Sequence, residues 1–115
     1  MPCVEVSTNV PKDKIPGDFA KNLVDMLAKL YAKPVNLVVV AIKSDSKMSF
    51  AGKDNPAAVV NLTSLVKDID KERNKKTCSL LYPQFEKVLG ITGEMMMIVF
   101  HGTTGDNVGY KGTTL

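Results

Sequence analysis

The sequence has no tryptophan, a single histidine and only two cysteines, and these shortages exclude several kinds of site. The histidine, His101, and the cysteines, Cys3 and Cys78, lie far apart and lack the spacing of metal ligands. The cysteines also form no CxxC pair, which is typical of a reduced, cytoplasmic protein in which each is a packing residue or a free thiol. We expect no metal site.

Long apolar segments are missing as well. No stretch approaches the roughly 20 apolar residues of a membrane-spanning helix. The first residues include Glu5, Lys12 and Lys14 and do not resemble a signal peptide. There is neither a glycine-rich phosphate loop nor a GxSxG motif. We therefore expect no membrane insertion and no nucleotide cofactor.

The composition fits one globular domain over residues 1–115, with 44% hydrophobic and 23% charged residues and a net charge of +3. Part of the positive charge is one run, Lys71, Arg73, Lys75 and Lys76, interrupted by Glu72. A solvated helix face explains this run better than nucleic-acid binding, because no aromatic residues are interleaved with it. We expect no nucleic-acid partner.

The chain repeats one plan twice. Residues 3–9 alternate like a half-buried strand, a helix extends from Pro16 to about Ala32, and residues 37–42 form a uniformly apolar strand that we expect to be buried. The helix has an apolar stripe of Ile15, Phe19, Leu23, Leu27 and Leu30.

The second half follows with a strand at 57–66, a helix at 69–89 and a strand at 95–100. The inner side of this helix carries Leu81, Phe85, Val88 and Leu89. Two β-α-β units predict an α+β fold, with one four-stranded sheet covered on one face by two helices.

Two features do not fit this plan. Pro83 falls inside the second helix, where proline removes a backbone hydrogen bond at a cost of about 3 kcal/mol, so we expect a kink or a break there. The tail after residue 100 is rich in glycine and threonine. It is either disordered or adds short strands to a sheet edge, including that of another subunit.

Pro2 is the remaining candidate for chemistry. Removal of Met1 would leave Pro2 with a secondary amine, which is a general base only when neutral. Burial and a nearby positive charge both lower the pKa of such an amine. Proline is common at the second position, so Pro2 alone is a weak signal. A retained Met1 would make the Pro2 nitrogen an amide without basicity.

Several short motifs share the order and spacing of one protein family. They are MPCVEVSTNVP, Ala32-Lys33-Pro34, Met48-Ser49-Phe50-Ala51-Gly52, Asn55-Pro56-Ala57, Leu62-Thr63-Ser64-Leu65 and Asn107-Val108-Gly109-Tyr110. In this register, which covers essentially the whole chain, the sequence resembles the macrophage migration inhibitory factor and D-dopachrome tautomerase family of the tautomerase superfamily.

The resemblance implies a cofactor-free homotrimer with an active site at each subunit interface. Pro2 would be the catalytic base of keto–enol tautomerisation, acting on a small aromatic keto acid such as a phenylpyruvate. Lys33 would hold the substrate carboxylate and help keep Pro2 neutral, and the backbone of Leu65 would contact the substrate. Phe100 and Tyr110 are aromatic candidates for the pocket mouth, with core or interface packing as the alternative.

The departures from the family cluster in this pocket. Met97 and Val99 stand where the inhibitory factor has a tyrosine and a hydrogen-bonding asparagine lent by the neighbouring subunit, and Leu37 replaces another tyrosine at the rim. A more apolar, deformable wall predicts weak or altered activity. Ala57 and Val60 replace the cysteines of the family's CxxC motif, so we expect no disulfide exchange.

Three functions stay open. The first is a keto–enol tautomerase, and the second is a cytokine-like ligand, exported without a leader, that binds a cell-surface receptor. The third is an oligomeric domain with vestigial chemistry. The first implies a cytoplasmic protein, and the second implies a protein that also reaches the cell exterior.

Overall fold

The computed structural model describes all residues from 1 to 115. Two long helices and four long strands alternate in two units, and a short hairpin follows. The elements are β1 (Cys3–Thr8), α1 (Phe19–Leu30), β2 (Val39–Lys43), β3 (Ala58–Leu65), α2 (Lys71–Leu89), β4 (Met96–Thr103), β5 (Gly109–Tyr110) and β6 (Thr113–Thr114).

The four long strands form one mixed sheet in the order β2-β1-β3-β4. Each β-α-β unit contributes a parallel pair, β1 with β2 and β3 with β4, and the two units meet where β1 and β3 run antiparallel. Both helices contact the sheet, and they also contact each other. The predicted α+β architecture is therefore confirmed.

The core lies between the sheet and the helices. Val4 and Val6 of β1 are buried, as the alternation of that strand predicts, and so are Val60 and Leu62 of β3. The helices meet through an aromatic pair, Phe19 of α1 and Phe85 of α2, whose ring centroids lie 5.2 Å apart in an edge-to-face arrangement. The rest of the buried helix face comprises Leu23, Leu27, Ala28, Thr77, Leu81 and Leu89.

The second helix is delimited by its capping residues. The Asp70 carboxylate accepts a hydrogen bond of 2.8 Å from the Arg73 N–H at the start, and Gly90 ends the helix with a φ of 70°. Between them α2 is continuous through Pro83, so of the two predicted alternatives the break is wrong, and the kink stays a prediction. Pro83 is exposed, and the buried Leu81 and Phe85 on either side anchor the helix to the core.

The prediction for β2 needs a correction. The strand begins at Val39 because Val35–Leu37 form a short 3-10 turn, and it is not buried. It lies at the edge of the sheet, with Val39 43% exposed and Ala41 also exposed. Although its sequence is uniformly apolar, β2 therefore packs against the core through one face only. The tail forms the β5–β6 hairpin, in which the two strands pair with each other within one chain.

The sheet face away from the helices is open and mixed in character. Across its middle, Glu5 pairs in register with Ala41 on one side and with Asn61 on the other, and Asn61 pairs with Val99. Met97 and Val99 of β4 are 54% and 39% exposed on this face. It thus combines an apolar strip with a charged centre.

Candidate active site

The site begins at the first residues of β1. Pro2 is buried, and its carbonyl accepts a hydrogen bond of 3.0 Å from the Val39 N–H of β2. Cys3 pairs with Thr63 of the antiparallel strand β3 on the other side. Because hydrogen bonds hold the chain on both sides, the backbone at Pro2 has a fixed position in the sheet.

In the structure Met1 precedes Pro2, so the chain's amine belongs to Met1 and the Pro2 nitrogen is an amide. The Met1 ammonium donates to Ser64 Oγ at 3.5 Å. Burial is the main cause that lowers the pKa of this amine, and the positive charges of Lys33 and Lys67 lower it further, while Asp68 raises it. Removal of Met1 would transfer the amine to the adjacent buried residue.

Lys33 is positioned by the end of α1. Ala32 adopts a left-handed conformation with φ of 52°, and the Lys33 N–H then donates to the Ala28 carbonyl at 2.9 Å. The Lys33 side chain is only 21% exposed. The Lys33 ammonium lowers the pKa of the Met1 amine, so the two groups lie close enough to interact. The motif Ala32-Lys33-Pro34 and the N-terminus therefore lie at the same end of the sheet.

An acidic residue that sequence reasoning missed also lies at this place. Asp68 is 6% exposed, in the short 3-10 turn Val66–Asp68 between β3 and α2. Its Oδ1 accepts a hydrogen bond of 3.0 Å from Arg73 Nη1, and its Oδ2 lies 3.7 Å from Lys33 Nζ. The only signal in the sequence is a carboxylate three residues after the end of an apolar strand, which is too common to single it out.

Leu65 is the last residue of β3. In the register that pairs Cys3 with Thr63, continuation by two residues brings Leu65 opposite Met1, beside Pro2. The structure therefore brings Pro2, Lys33 and Leu65 to one end of the sheet.

Met97 and Val99 are not at that end within one chain. The register places Gly102 of β4 beside Ser64, whereas Met97 pairs with Val59 and lies near the other end of the strand. At about 3.3 Å per residue, Met97 and Val99 lie roughly 17 and 10 Å along β4 from the level of Pro2. Their predicted role therefore depends on a neighbouring copy of the chain.

The two aromatic candidates lie elsewhere. Phe100 is half-buried and packs against the hydrophobic core on the helix side of the sheet, which favours the packing alternative for it. Tyr110 belongs to the C-terminal hairpin, where the Lys111 ammonium lies 5.6 Å from the centre of its ring. Their place at the pocket mouth stays a prediction.

The structure contains no group of three His, Cys, Asp or Glu side chains that could hold a metal ion. None of its helices combines the length and the apolar character needed to traverse a bilayer.

The fold defines a small α+β protein built from a repeated β-α-β unit around one mixed sheet. Its second residue, Pro2, is buried at one end of that sheet. A family model described as macrophage migration inhibitory factor (MIF) matches residues 1–115. The chain therefore belongs to the MIF family.

Individual relatives agree with this assignment. The chain is 37% identical over 114 residues to the MIF homolog of Trichuris trichiura, with 99% of each protein covered. It is 35% identical over 114 residues to the MIF of Xenopus tropicalis, with coverages of 99% and 98%. The solved MIF structure from Trichinella spiralis superposes with a TM-score of 0.93 at 33% identity and covers 98% of this chain and 99% of that one.

Proposed function

We propose that the protein is a cofactor-free keto–enol tautomerase of small aromatic keto acids, with Pro2 as its general base once Met1 is removed. The observation that carries this proposal is the environment at the start of β1, where Pro2 is buried and where burial and the charge of Lys33 lower the pKa of the Met1 amine next to it. The same causes, acting on the Pro2 amine after removal of Met1, would increase the fraction of neutral amine at a given pH, which is the form that a general base requires.

The reaction needs only a proton transfer. In ketonisation the neutral Pro2 nitrogen takes the proton of the enol hydroxyl and returns one to the neighbouring carbon. An O–H bond is lost and a C–H bond is formed, while the C=C bond becomes a single bond and the C–O bond becomes C=O, so no redox partner or cofactor takes part. Lys33 holds the substrate carboxylate by a charge-assisted hydrogen bond, and the backbone of Leu65 borders the substrate.

The proposed enzyme is a homotrimer. The partner subunit's Met97 and Val99 complete the pocket as an apolar wall, which is consistent with their exposure of 54% and 39% in the single chain. This wall offers no hydrogen-bond donor to the developing enolate, so we expect slow turnover.

A second candidate function is extracellular. Relatives of this chain bear the name macrophage migration inhibitory factor, and we propose as the alternative that this protein is a cytokine-like ligand of a cell-surface receptor, exported without a leader. The apolar side chains of Met97 and Val99 favour this alternative, because a pocket wall without a hydrogen-bond donor is poorly suited to stabilise an enolate. Binding to receptor-bearing cells by a Pro2→Ala variant would support this alternative.

The decisive test of the tautomerase is ketonisation of the enol of hydroxyphenylpyruvate by protein whose mass shows that Met1 is absent. We expect a rate well above buffer, and loss of most of it in Pro2→Ala at an unchanged circular dichroism spectrum. The same sequence with Met1 retained is the matched control and should be inactive, because its Pro2 nitrogen is an amide. Buffer-level rates from trimmed wild-type protein would refute the proposal.

A further inference from the structure

The carboxylate of Asp68 lies between two cations. Arg73 Nη1 donates to its Oδ1 at 3.0 Å, and Lys33 Nζ lies 3.7 Å from its Oδ2. Oδ2 has no hydrogen-bond partner, although the side chain is only 8% exposed. The Lys33 contact is thus an ion pair that is longer than a hydrogen bond.

Arg73 fixes Asp68 more firmly than Lys33 does. Besides its hydrogen bond to Asp68, the Arg73 guanidinium lies 5.4 Å from the centre of the Tyr31 ring. The Arg73 backbone N–H is bound by the Asp70 cap of the same helix. Asp68 therefore has a rigid anchor on one oxygen, while its other oxygen attracts Lys33.

From this geometry we propose that Asp68 is a positioning residue that competes with the substrate carboxylate for Lys33 and so lowers the affinity of the pocket for carboxylates. The inference rests on the proposed function, in which Lys33 holds that carboxylate. A bound carboxylate shares Lys33 with a buried negative charge that Arg73 keeps in place. The affinity of the pocket for anions is consequently lower than Lys33 alone would give.

The charges around the N-terminal amine point the same way. In the structure this amine belongs to Met1, and Lys33 at the end of α1 and Lys67 and Asp68 in the turn after β3 are the charged groups that act on it. The two lysines lower the pKa of the amine and Asp68 raises it. Asp68 thus also offsets the effect of Lys33 on the base, so its removal should make the amine less basic.

The experiment measures the dissociation constant of 3-phenylpropanoate, an aromatic carboxylate that has no keto group and does not tautomerise. In Asp68→Asn we expect binding about fivefold tighter than in the wild type, because a partly buried charge pair of this kind corresponds to about 1 kcal/mol. Asp70→Asn is the matched control: it removes one nearby negative charge, keeps a capping side chain and should leave binding unchanged.

A double variant tests whether Asp68 acts through Lys33. In a Lys33→Ala background, Asp68→Asn should produce no tighter binding. Unchanged or weaker binding in the single Asp68→Asn variant, with its circular dichroism spectrum intact, would overturn the inference. So would equal tightening in both backgrounds, since that would reflect only the general field of the charge.

A second readout separates this inference from the proposed function. The pH at which the Pro2 amine of trimmed protein titrates, followed by NMR of labelled proline, should fall in Asp68→Asn and stay constant in Asp70→Asn. Neither this readout nor the binding constant requires turnover. Inactive wild-type protein that shows both effects would refute the tautomerase alone, and active protein that shows neither would refute the role of Asp68 alone.

Discussion

At the scale of single residues, a substitution of Lys33 separates the two proposed steps, substrate binding and proton transfer. In Lys33→Ala we expect KM for the keto acid to rise about tenfold, because a hydrogen bond to a charged group contributes about 1.5 kcal/mol or more. Steady-state kinetics on hydroxyphenylpyruvate measure this. Lys29→Ala, which removes an exposed lysine one turn earlier on α1, is the control and should match the wild type. A fall in kcat at constant KM would contradict carboxylate binding by Lys33.

The pH dependence follows from the amine. Its neutral form is the active one, so kcat/KM should rise with pH and level off above the pKa of the amine. Burial and Lys33 lower the pKa of the Met1 amine, and we expect the same causes to act on the Pro2 amine, so the midpoint should lie below that of a solvent-exposed N-terminal proline. In Lys33→Ala one of the lowering causes is absent, and the midpoint should move to higher pH. A midpoint that stays in place would show that Lys33 does not face Pro2.

The residues of the site differ in how well sequence predicts them. Pro2 and Lys33 were identified by a family register, and the fold then brings both to one end of the sheet. Asp68 had no such signal, because its significance depends on Lys33 and Arg73, which are far from each other in sequence and meet only through packing. Charge pairs between elements of this kind leave no period or motif in the sequence.

At the scale of elements, α2 contains one residue, Pro83, that lowers the stability of the helix. Pro83 lies in the interior of an otherwise continuous helix, on an exposed position. Pro83→Ala should therefore restore a backbone hydrogen bond and raise the free energy of unfolding by about 2 kcal/mol, after allowance for the more flexible unfolded chain. Urea denaturation measures this, with Lys76→Ala on the same helix as a nearly neutral control. An unchanged stability would mean that the helix accommodates proline without loss.

The elements also show where periodicity succeeds and where it fails. The alternation of β1 and the apolar stripe of α1 predicted their buried faces, since one side of each packs on the core. The apolar run of β2 predicted burial on both faces, yet the strand lies at an exposed edge. A sequence records the environment of the functional assembly, whereas a single chain shows only part of it.

At the scale of the whole molecule, the exposed apolar residues of β2 and β4 are an argument for self-association. Val39 and Val99 are 43% and 39% exposed on the open sheet face, on the two outer strands. An edge strand with unpaired backbone groups can pair with another chain, and exposed apolar patches mark interaction sites. A trimer would cover them and explain why the sequence of β2 resembles that of a buried strand.

The proposed trimer leads to a prediction in which loss of assembly and loss of activity go together. Val99→Arg places a charged side chain where the proposed interface needs an apolar one, and burying an unpaired charge costs several kcal/mol. Because Val99 faces away from the core of its own chain, the fold should persist while the trimer dissociates. Light scattering should show a mass three times that of the chain for the wild type and a lower mass for the variant, with ketonisation lost in parallel.

Ser79→Arg, on the exposed side of α2, adds the same charge outside the interface and should stay trimeric and active. A Val99→Arg protein that remains trimeric would place the interface elsewhere, and one that is monomeric but fully active would show that the pocket needs only one chain.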